Sequence, residues 1–523
     1  MDTDTGARPE WRHLLPIPGL GEERADTSHP LRVVVDVDPS LADQPGAQHL
    51  AWLLVTLLTR NTKAVIAAVG LGIDDVPLMP GTDPGAPDGG PSLTDALKAT
   101  ADAFGPEAAP VVHATELDDA GLVLLLHDPV SPGSSSSSSW PGAAVLRVSA
   151  SGWTGAVTPS STDPLPLDLA TTNPFGPYVA ACLAAGQAYM YARVHGHTLQ
   201  AVALNAWTLD QTTTDLAASD AIHPGEPSVE LDHVLAGVGA VGSALLLTLW
   251  AYRSASGTIR AADADPKGID DTNLNRCTPF HWVDLGGPKA QIAAERLSGY
   301  HGLVIEPTNG RAEDLVDPKT YLISAIDTEQ ARQALQDKYP ASAVQASTSG
   351  LRLEMLRIDP TAGTACLRCF NPPPRESVPD SEVQAQVAEM DEATIAAHAA
   401  AVGTDPQRVR DWGRTGGCGQ IGDALLERLR PSDGSAAQFS VGFASVLAGV
   451  LLAGQVLKDA VRRSVDAAAT VGDAPLLGPT ARFVTNLLDP ANGIAGARRY
   501  SRDPQCPACR GVRAKIWESR YTG

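Results

Sequence analysis

Apolar positions run along this chain in unbroken blocks, not in alternation, and the blocks take turns between strand length and helix length. Arg32-Val-Val-Val-Asp-Val37 reads as a buried strand, His49–Arg60 as an apolar helix and Ala64–Gly70 as a second buried strand. Gly121–His127 is another strand candidate, and Asn173–Arg193 is a long apolar helix opened by Asn-Pro. Residues 75–92 form a Pro/Gly/Asp loop, and the serine run Ser134–Ser139 marks a flexible surface loop. A polar, Thr/Asp-rich linker covers 209–228. From Val229 the alternation resumes. Strands are expected at His233–Gly237, Gly257–Asp265, Leu303–Pro307 and Tyr321–Asp327, with helices at Val241–Arg253, Pro288–Gly299 and Glu329–Lys338 between them. Further strands lie between Val344 and Ile358. That order predicts a parallel sheet with crossover helices. Residues 380–430 are Ala/Glu/Gln-rich and helical, and Gln438–Arg463 is a long apolar helix.

The two halves repeat each other faintly. Ala51-Trp-Leu-Leu-Val-Thr-Leu-Leu-Thr-Arg60 resembles Ala244-Leu-Leu-Leu-Thr-Leu-Trp-Ala-Tyr-Arg253, and Ala185-Gly-Gln187 recurs as Ala453-Gly-Gln455, in the same order. A duplicated α/β fold follows, and 523 residues are enough for two domains. Only the second copy carries a phosphate cradle. Gly237, Gly239 and Gly242 give G-x-G-x-x-G between a strand and a helix, where free N–H groups point at an anion. The first copy has Asp38-Pro-Ser-Leu-Ala-Asp-Gln there, which should bind no nucleotide.

Charge and cysteines narrow the class. A net charge of −21 argues against a nucleic-acid binder or an anionic-membrane binder. No basic and apolar leader opens the chain, and the apolar runs near 50–58 and 450–456 are about half of the roughly 20 residues that span a bilayer. Seven cysteines, four of them in two C-x-x-C pairs, suit a metal site in a reducing cytoplasm. Four thiolates leave no open catalytic position, so the metal is read as structural; paired redox cysteines would expect a thioredoxin-like context that is missing.

After the glycine loop, Asp265 suits a ribose hydroxyl pair, as it would in a dinucleotide oxidoreductase. Asn273-Leu-Asn-Arg276 and then Lys289 add an amide and two cations that hydride transfer does not need and attack on an α-phosphate does. Asp265-x(7)-Asn273-Leu-Asn-Arg276, then Pro288-Lys289, then Ile323-Ser-Ala-Ile-Asp327, with the two cysteine pairs, resembles the ThiF/MoeB and ubiquitin-activating enzyme superfamily. The match covers about 229–370 and 436–510. Lys267, Cys277 and Thr328 depart from the family's acidic residue, Gln and Asn.

The resemblance implies tandem Rossmann-like adenylation folds with a small helical insertion and a structural zinc site. Residues 1–215 would be a degenerate copy, 229–523 the active one, and 375–435 an inserted helical segment. Asp265 would hold the ATP ribose, Asn273, Arg276 and Lys289 the phosphates, and Asp327 Mg²⁺. Cys366, Cys369, Cys506 and Cys509 would hold Zn²⁺. The first half, or a second protomer, would supply an arginine, with Arg12, Arg24, Arg32 and Arg60 as candidates. Cys418, among glycines and before a helix start that favours thiolate, is the expected thioester nucleophile; Cys182 reads as core, and Cys277 sits on the nucleotide loop. The expected reaction adenylates the C-terminal glycine of a ubiquitin-like or sulfur-carrier β-grasp protein. A conjugating-enzyme-like partner and a homodimer are left open. Two alternatives stand beside it: a thioester-free activator of a sulfur carrier or peptide, and a non-catalytic nucleotide- or partner-binding scaffold.

Overall fold

The computed structural model describes residues 11–17, 30–127, 140–160, 168–213, 225–298, 300–358, 365–370, 380–401, 404–415, 439–464, 482–488, 502–504 and 506–520. Ser134–Ser139, Arg24 and Cys418 lie outside the described residues. The chain forms two compact units, Met1–Cys369 with Phe439–Gly523, and Phe370–Gln438.

The first unit holds two sheets. One contains β1 (Leu31–Val37), β2 (Ile66–Gly72), β3 (Val111–His113), β4 (Leu122–Leu126), β5 (Ala144–Ser151), β6 (Thr154–Pro159), β7 (Val202–Asn205) and β8 (Gln211–Thr212). The other contains β9 (Val229–Ala236), β10 (Ala255–Asp263), β11 (Leu303–Asn309), β12 (Tyr321–Ser324), β13 (Ser342–Ser349), β14 (Arg352–Ile358) and β15 (Arg482–Asn486). Their orders are β3-β2-β1-β4-β5-β6-β7-β8 and β11-β10-β9-β12-β13-β14-β15. Apart from β8, the two orders coincide position by position. In each, the first five strands pair in parallel and two antiparallel strands follow. The sheets are therefore mixed where the sequence pattern suggested parallel strands alone. The antiparallel members β6 (Thr-Gly-Ala-Val-Thr-Pro) and β7 (Val-Ala-Leu-Asn) are short, and the expected 209–228 linker contributes β8.

Apolar blocks without alternation belong to elements buried on both faces. Val33, Val34 and Val35 are fully buried, and the Pro45–Thr59 helix is buried from Gly46 to Thr59. Such a helix must have neighbours on all sides. The Gly442–Ser464 helix meets the same demand: Gly442–Arg463 is long and apolar enough to cross a membrane, yet its apolar 18-residue window is wholly buried inside the protein, with only Arg462 and Arg463 of the stretch exposed. One hydrophobic core runs from Trp11 to Leu487 through both sheets.

The repeated segments occupy equivalent places. Ala51–Arg60 lies on the Pro45–Thr59 helix and its cap, Ala244–Arg253 on the Ala240–Ala251 helix and the residues just beyond, each after the central strand of its sheet. Their last residues cross between halves. Arg60, 2% exposed, donates through Nη1 to the carbonyls of Leu274 and Cys277 (3.2 Å), and through Nη2 to those of Thr278 (2.9 Å) and Phe280 (2.9 Å). Arg253 crosses the other way and donates to the Pro80 carbonyl at 2.9 Å. The long helices also meet across the middle, where Tyr189 packs against Phe443 and Gln455 Nε2 donates to the Ala206 carbonyl at 3.4 Å.

The second unit has the helices Asp380–Glu389, Glu392–Ala401 and Pro406–Thr415 among its described residues. Val387, Ile395, Ala399, Val409 and Trp412 form its small buried interior.

Candidate active site

β9 delivers the chain to Gly237, whose φ of +90° belongs to glycine; a Cβ there would come within 2.9 Å of the Ala325 carbonyl just past β12. Gly239 caps the Ala240–Ala251 helix, and a Cβ at that position would meet nothing within 4 Å, so the space over the helix N-terminus is open. Gly242 lies so close to the Gly237 carbonyl that no side chain fits. The turn is thus tight at both ends and clear in the middle, as an approaching phosphate needs. Asp263, at the end of β10, fixes it: its Oδ2 accepts from Val238 N–H at 2.8 Å and its Oδ1 from Asp265 N–H at 3.0 Å. The sequence reading passed over Asp263. Its signal was its position two residues before Asp265 at a strand end beside the glycine loop.

Lys289, 9% exposed, is the first residue of the Lys289–Arg296 helix, and its Nζ meets Asp265 Oδ2 at 2.6 Å. Burial by itself would raise the Asp265 carboxyl, but the hydrogen bond and charge of Lys289 and the Lys267 N–H outweigh it and hold the group below the usual carboxylate range. Lys267, out of pattern in the sequence, adds its charge to the same effect.

Between them, Asn273 lies on the short Asp271–Leu274 helix and Arg276 just beyond it. Asn273 and Asp270 form a capping box, with N–H(273) to Asp270 Oδ1 at 2.9 Å and N–H(270) to Asn273 Oδ1 at 3.2 Å. Arg276, 7% exposed, donates to the Thr272 carbonyl and to Asn275 Oδ1 at 3.2 Å. Burial lowers its pKa, Arg12 pushes the same way, and the charges of Asp270 and Asp327 oppose them. Asp327 stands exposed beyond β12, with Arg276 and Arg332 as charged neighbours.

The strand order explains the gathering. From central β9 the chain passes to β10 on one side and later to β12 on the other. The carboxyl ends of β9, β10 and β12 therefore open a crevice at the switch point, the place where open α/β sheets bind ligands. The glycine loop, the Asp265–Lys289 pair, Arg276 and Asp327 all come from the segments that follow those ends.

The four paired cysteines converge. The sulfurs of Cys366, Cys369, Cys506 and Cys509 lie within 4.8 Å of one another, with Cys366 Sγ 3.7 Å from both Cys369 and Cys506, and Cys369 Sγ 3.5 Å from Cys509. Thiolates about 2.3 Å from a tetrahedral Zn²⁺ stand about 3.8 Å apart, so the donor set fits that ion. The cluster ties the C-terminal segment to the rest of the unit, where Tyr339 Oη donates to the Ala508 carbonyl at 3.0 Å and Trp517 Nε1 to the Pro340 carbonyl at 2.6 Å. Cys182 and Cys277 are buried, and burial raises both thiols. Of the candidate arginines, Arg32 pairs with Asp119 and Arg60 is committed to backbone carbonyls, whereas Arg12, on the short Arg12–Leu14 helix, is within electrostatic reach of Arg276.

The model of the ThiF family matches residues 229–488. Among solved structures, the chain is similar to PaaA at 24% identity over 24% of this chain and 40% of that one, with a TM-score of 0.20. It is also similar to MccB from E. coli in complex with MccA (12% identity, 70% of this chain and 97% of that one, TM-score 0.34) and to MccB from E. coli with ATP (13% identity, the same coverage, TM-score 0.34). A comparison with curated proteins gives no match.

Proposed function

Because the chain belongs to the ThiF family through residues 229–488, we propose that it is an ATP-dependent adenylyltransferase acting on a carboxylate of a small protein or peptide. The observation that carries this reading is the 2.6 Å Lys289–Asp265 pair set against an open glycine turn. It supplies a ribose-side carboxylate and a phosphate-side cation in one crevice, with Arg276 close by. In the proposed step, an oxygen of the substrate's C-terminal carboxylate attacks the α-phosphorus of ATP, and the bond to the β-phosphate oxygen breaks to release pyrophosphate. Lys289, Arg276 and the Asn273 amide hold the phosphates and offset the charge that builds on them. Arg12, from the first half, adds a second guanidinium. The exposed carboxylate of Asp327 is a hard oxygen donor suited to Mg²⁺, which would neutralise phosphate charge when bound.

The first half, with no glycine loop, would serve as a nucleotide-free partner to the second. The substrate in this reading is the glycine tail of a ubiquitin-like protein, which then passes to Cys418 as a thioester. Two facts support that assignment: four of the seven cysteines cluster, and the other two described ones are buried. Cys418 belongs to the separate unit Phe370–Gln438. The test is ATP–pyrophosphate exchange with candidate carriers ending in Gly-Gly, and capture of a reductant-sensitive adduct. Lys289→Ala should depress exchange about 100-fold or more. Cys418→Ala should retain exchange and lose the adduct. Absence of exchange with every carrier would end the adenylation assignment, exchange undiminished in Lys289→Ala would end the role given to Lys289, an adduct surviving in Cys418→Ala would end the assignment of that nucleophile, and exchange with no adduct in the unaltered protein would leave a thioester-free activator.

A further inference from the structure

A buried chain of hydrogen bonds leads from the first half of the protein to Arg276. It starts at Thr62, passes through His13 on the short Arg12–Leu14 helix, and ends on the Asn275 amide. Thr62, His13, Asn275 and Arg276 are 2%, 0%, 3% and 7% exposed. His13 Nε2 stands 3.2 Å from Thr62 Oγ1, and its Nδ1 stands 3.0 Å from Asn275 Nδ2. Asn275 Oδ1 accepts from Arg276 Nη1 at 3.2 Å.

Chemistry gives each link one direction. A guanidinium can only donate, so the Asn275 oxygen must face Arg276 and the amide nitrogen must face His13. That nitrogen donates, so His13 Nδ1 accepts and the ring proton sits on Nε2, towards Thr62. Such a ring is neutral. Burial keeps it so by lowering the His13 pKa to about 3; the Arg193 and Arg276 charges push the same way, and a bond with the Asn61 backbone opposes them. An apolar side chain at 13 would leave the Asn275 amide free to flip and turn its two donors on the guanidinium. The backbone of His13 is itself fixed from the first half. Tyr189 Oη and Arg193 Nη1 (3.3 Å), near the end of the Phe175–Arg193 helix, both donate to its carbonyl.

We propose that His13 is a positioning residue for Arg276: through the Asn275 amide, the first half aims the guanidinium that holds the nucleotide's phosphates. The inference rests on the adenylation reading for the role of Arg276. It gives the nucleotide-free half a task separate from supplying Arg12.

The test is equilibrium dialysis of the full-length protein with labelled ATP and, separately, with labelled adenosine, which has no phosphate. His13→Leu fills a similar space without an acceptor. It should weaken ATP about tenfold, the effect of one lost hydrogen bond to a charged group, and leave adenosine within about twofold. His13→Asn places an oxygen where Nδ1 stands and should restore ATP binding, whereas His13→Gln reaches only the place of Nε2 and should not. Three results would each overturn the inference and leave the adenylation reading standing: ATP binding unchanged in His13→Leu, equal losses for ATP and adenosine, or Gln restoring ATP binding as well as Asn. Failure of the unaltered protein to bind ATP would overturn that reading, and this inference with it.

Discussion

Arg60 offers the most direct test of how the halves are joined. In Arg60→Met, the carbonyls of Leu274, Thr278 and Phe280 lose their donor, while that of Cys277 keeps the Phe280 N–H at 3.1 Å. Leaving a buried acceptor without a partner costs about 1–3 kcal/mol, so three give a gross loss of about 3–9 kcal/mol. Removing the guanidinium also removes its desolvation penalty, which brings the net to about 3–5 kcal/mol, the usual cost of breaking a buried charged contact. Arg253→Met is the matched control. Its guanidinium is exposed, and the Pro80 carbonyl it meets keeps the Tyr300 hydroxyl at 2.9 Å, so the cost should be about 1 kcal/mol or less. Urea unfolding followed by tryptophan fluorescence, with the slopes compared to check that the same surface unfolds, measures both. Equal losses in the two variants, or a loss below about 1.5 kcal/mol for Arg60→Met, would refute the reasoning that burial and the number of carbonyls decide the outcome.

Three further outcomes follow from geometry already given. Asp263→Ala frees the Val238 N–H and should raise the KM for ATP about tenfold, with a smaller effect on kcat, in pyrophosphate exchange; an unchanged KM would mean that the turn holds itself. Zinc analysis should find one ion per chain, and Cys366→Ser should lower both zinc content and melting temperature, the C-terminal 502–520 segment becoming the first to be cleaved by protease. Burial pushes His13, His49, His233 and His281 down to about 3, so the folded state keeps them neutral while the unfolded chain takes up protons below about 6.5. Stability is therefore fully present above that pH and lost as pH falls toward 3, at up to about 1.4 kcal/mol per unit for each histidine. His49→Phe keeps the edge contact with the Tyr178 ring and should make the loss shallower by about one proton; an unchanged slope would contradict the neutral assignment.

The parts of the fold that were legible in the sequence are those buried on both sides. The centre of β1, the end of β9 and the helices after them are apolar blocks, because little on those stretches faces water. The strands that escaped notice, β3, β5, β6, β7, β8 and β15, are mostly short or mix Thr, Ser, Ala, Gly or Arg with their apolar residues. Their place in the sheet comes from pairing with a partner, which no local pattern records. At the site, Asp265 and Lys289 could be picked out by spacing, and the structure brings them together. That Arg60 would meet carbonyls more than 200 positions away, and not a phosphate, is a matter of tertiary packing alone. The repeat between Ala51–Arg60 and Ala244–Arg253 marked the equivalence of the two helices without revealing that their terminal arginines cross between halves.

The matching strand orders have a consequence for dilution. Two such sheets on separate chains would pair only as far as their concentrations allowed, whereas a tether sets the local concentration of one around the other at about the millimolar scale. Here both sheets also share one core, so assembly of the crevice is insensitive to how much protein is present. The linkage has a second effect on stoichiometry. A symmetric pair must carry every change twice, but this chain can lose a glycine turn from one copy and keep it in the other. Titration should accordingly find one nucleotide per polypeptide at any protein concentration.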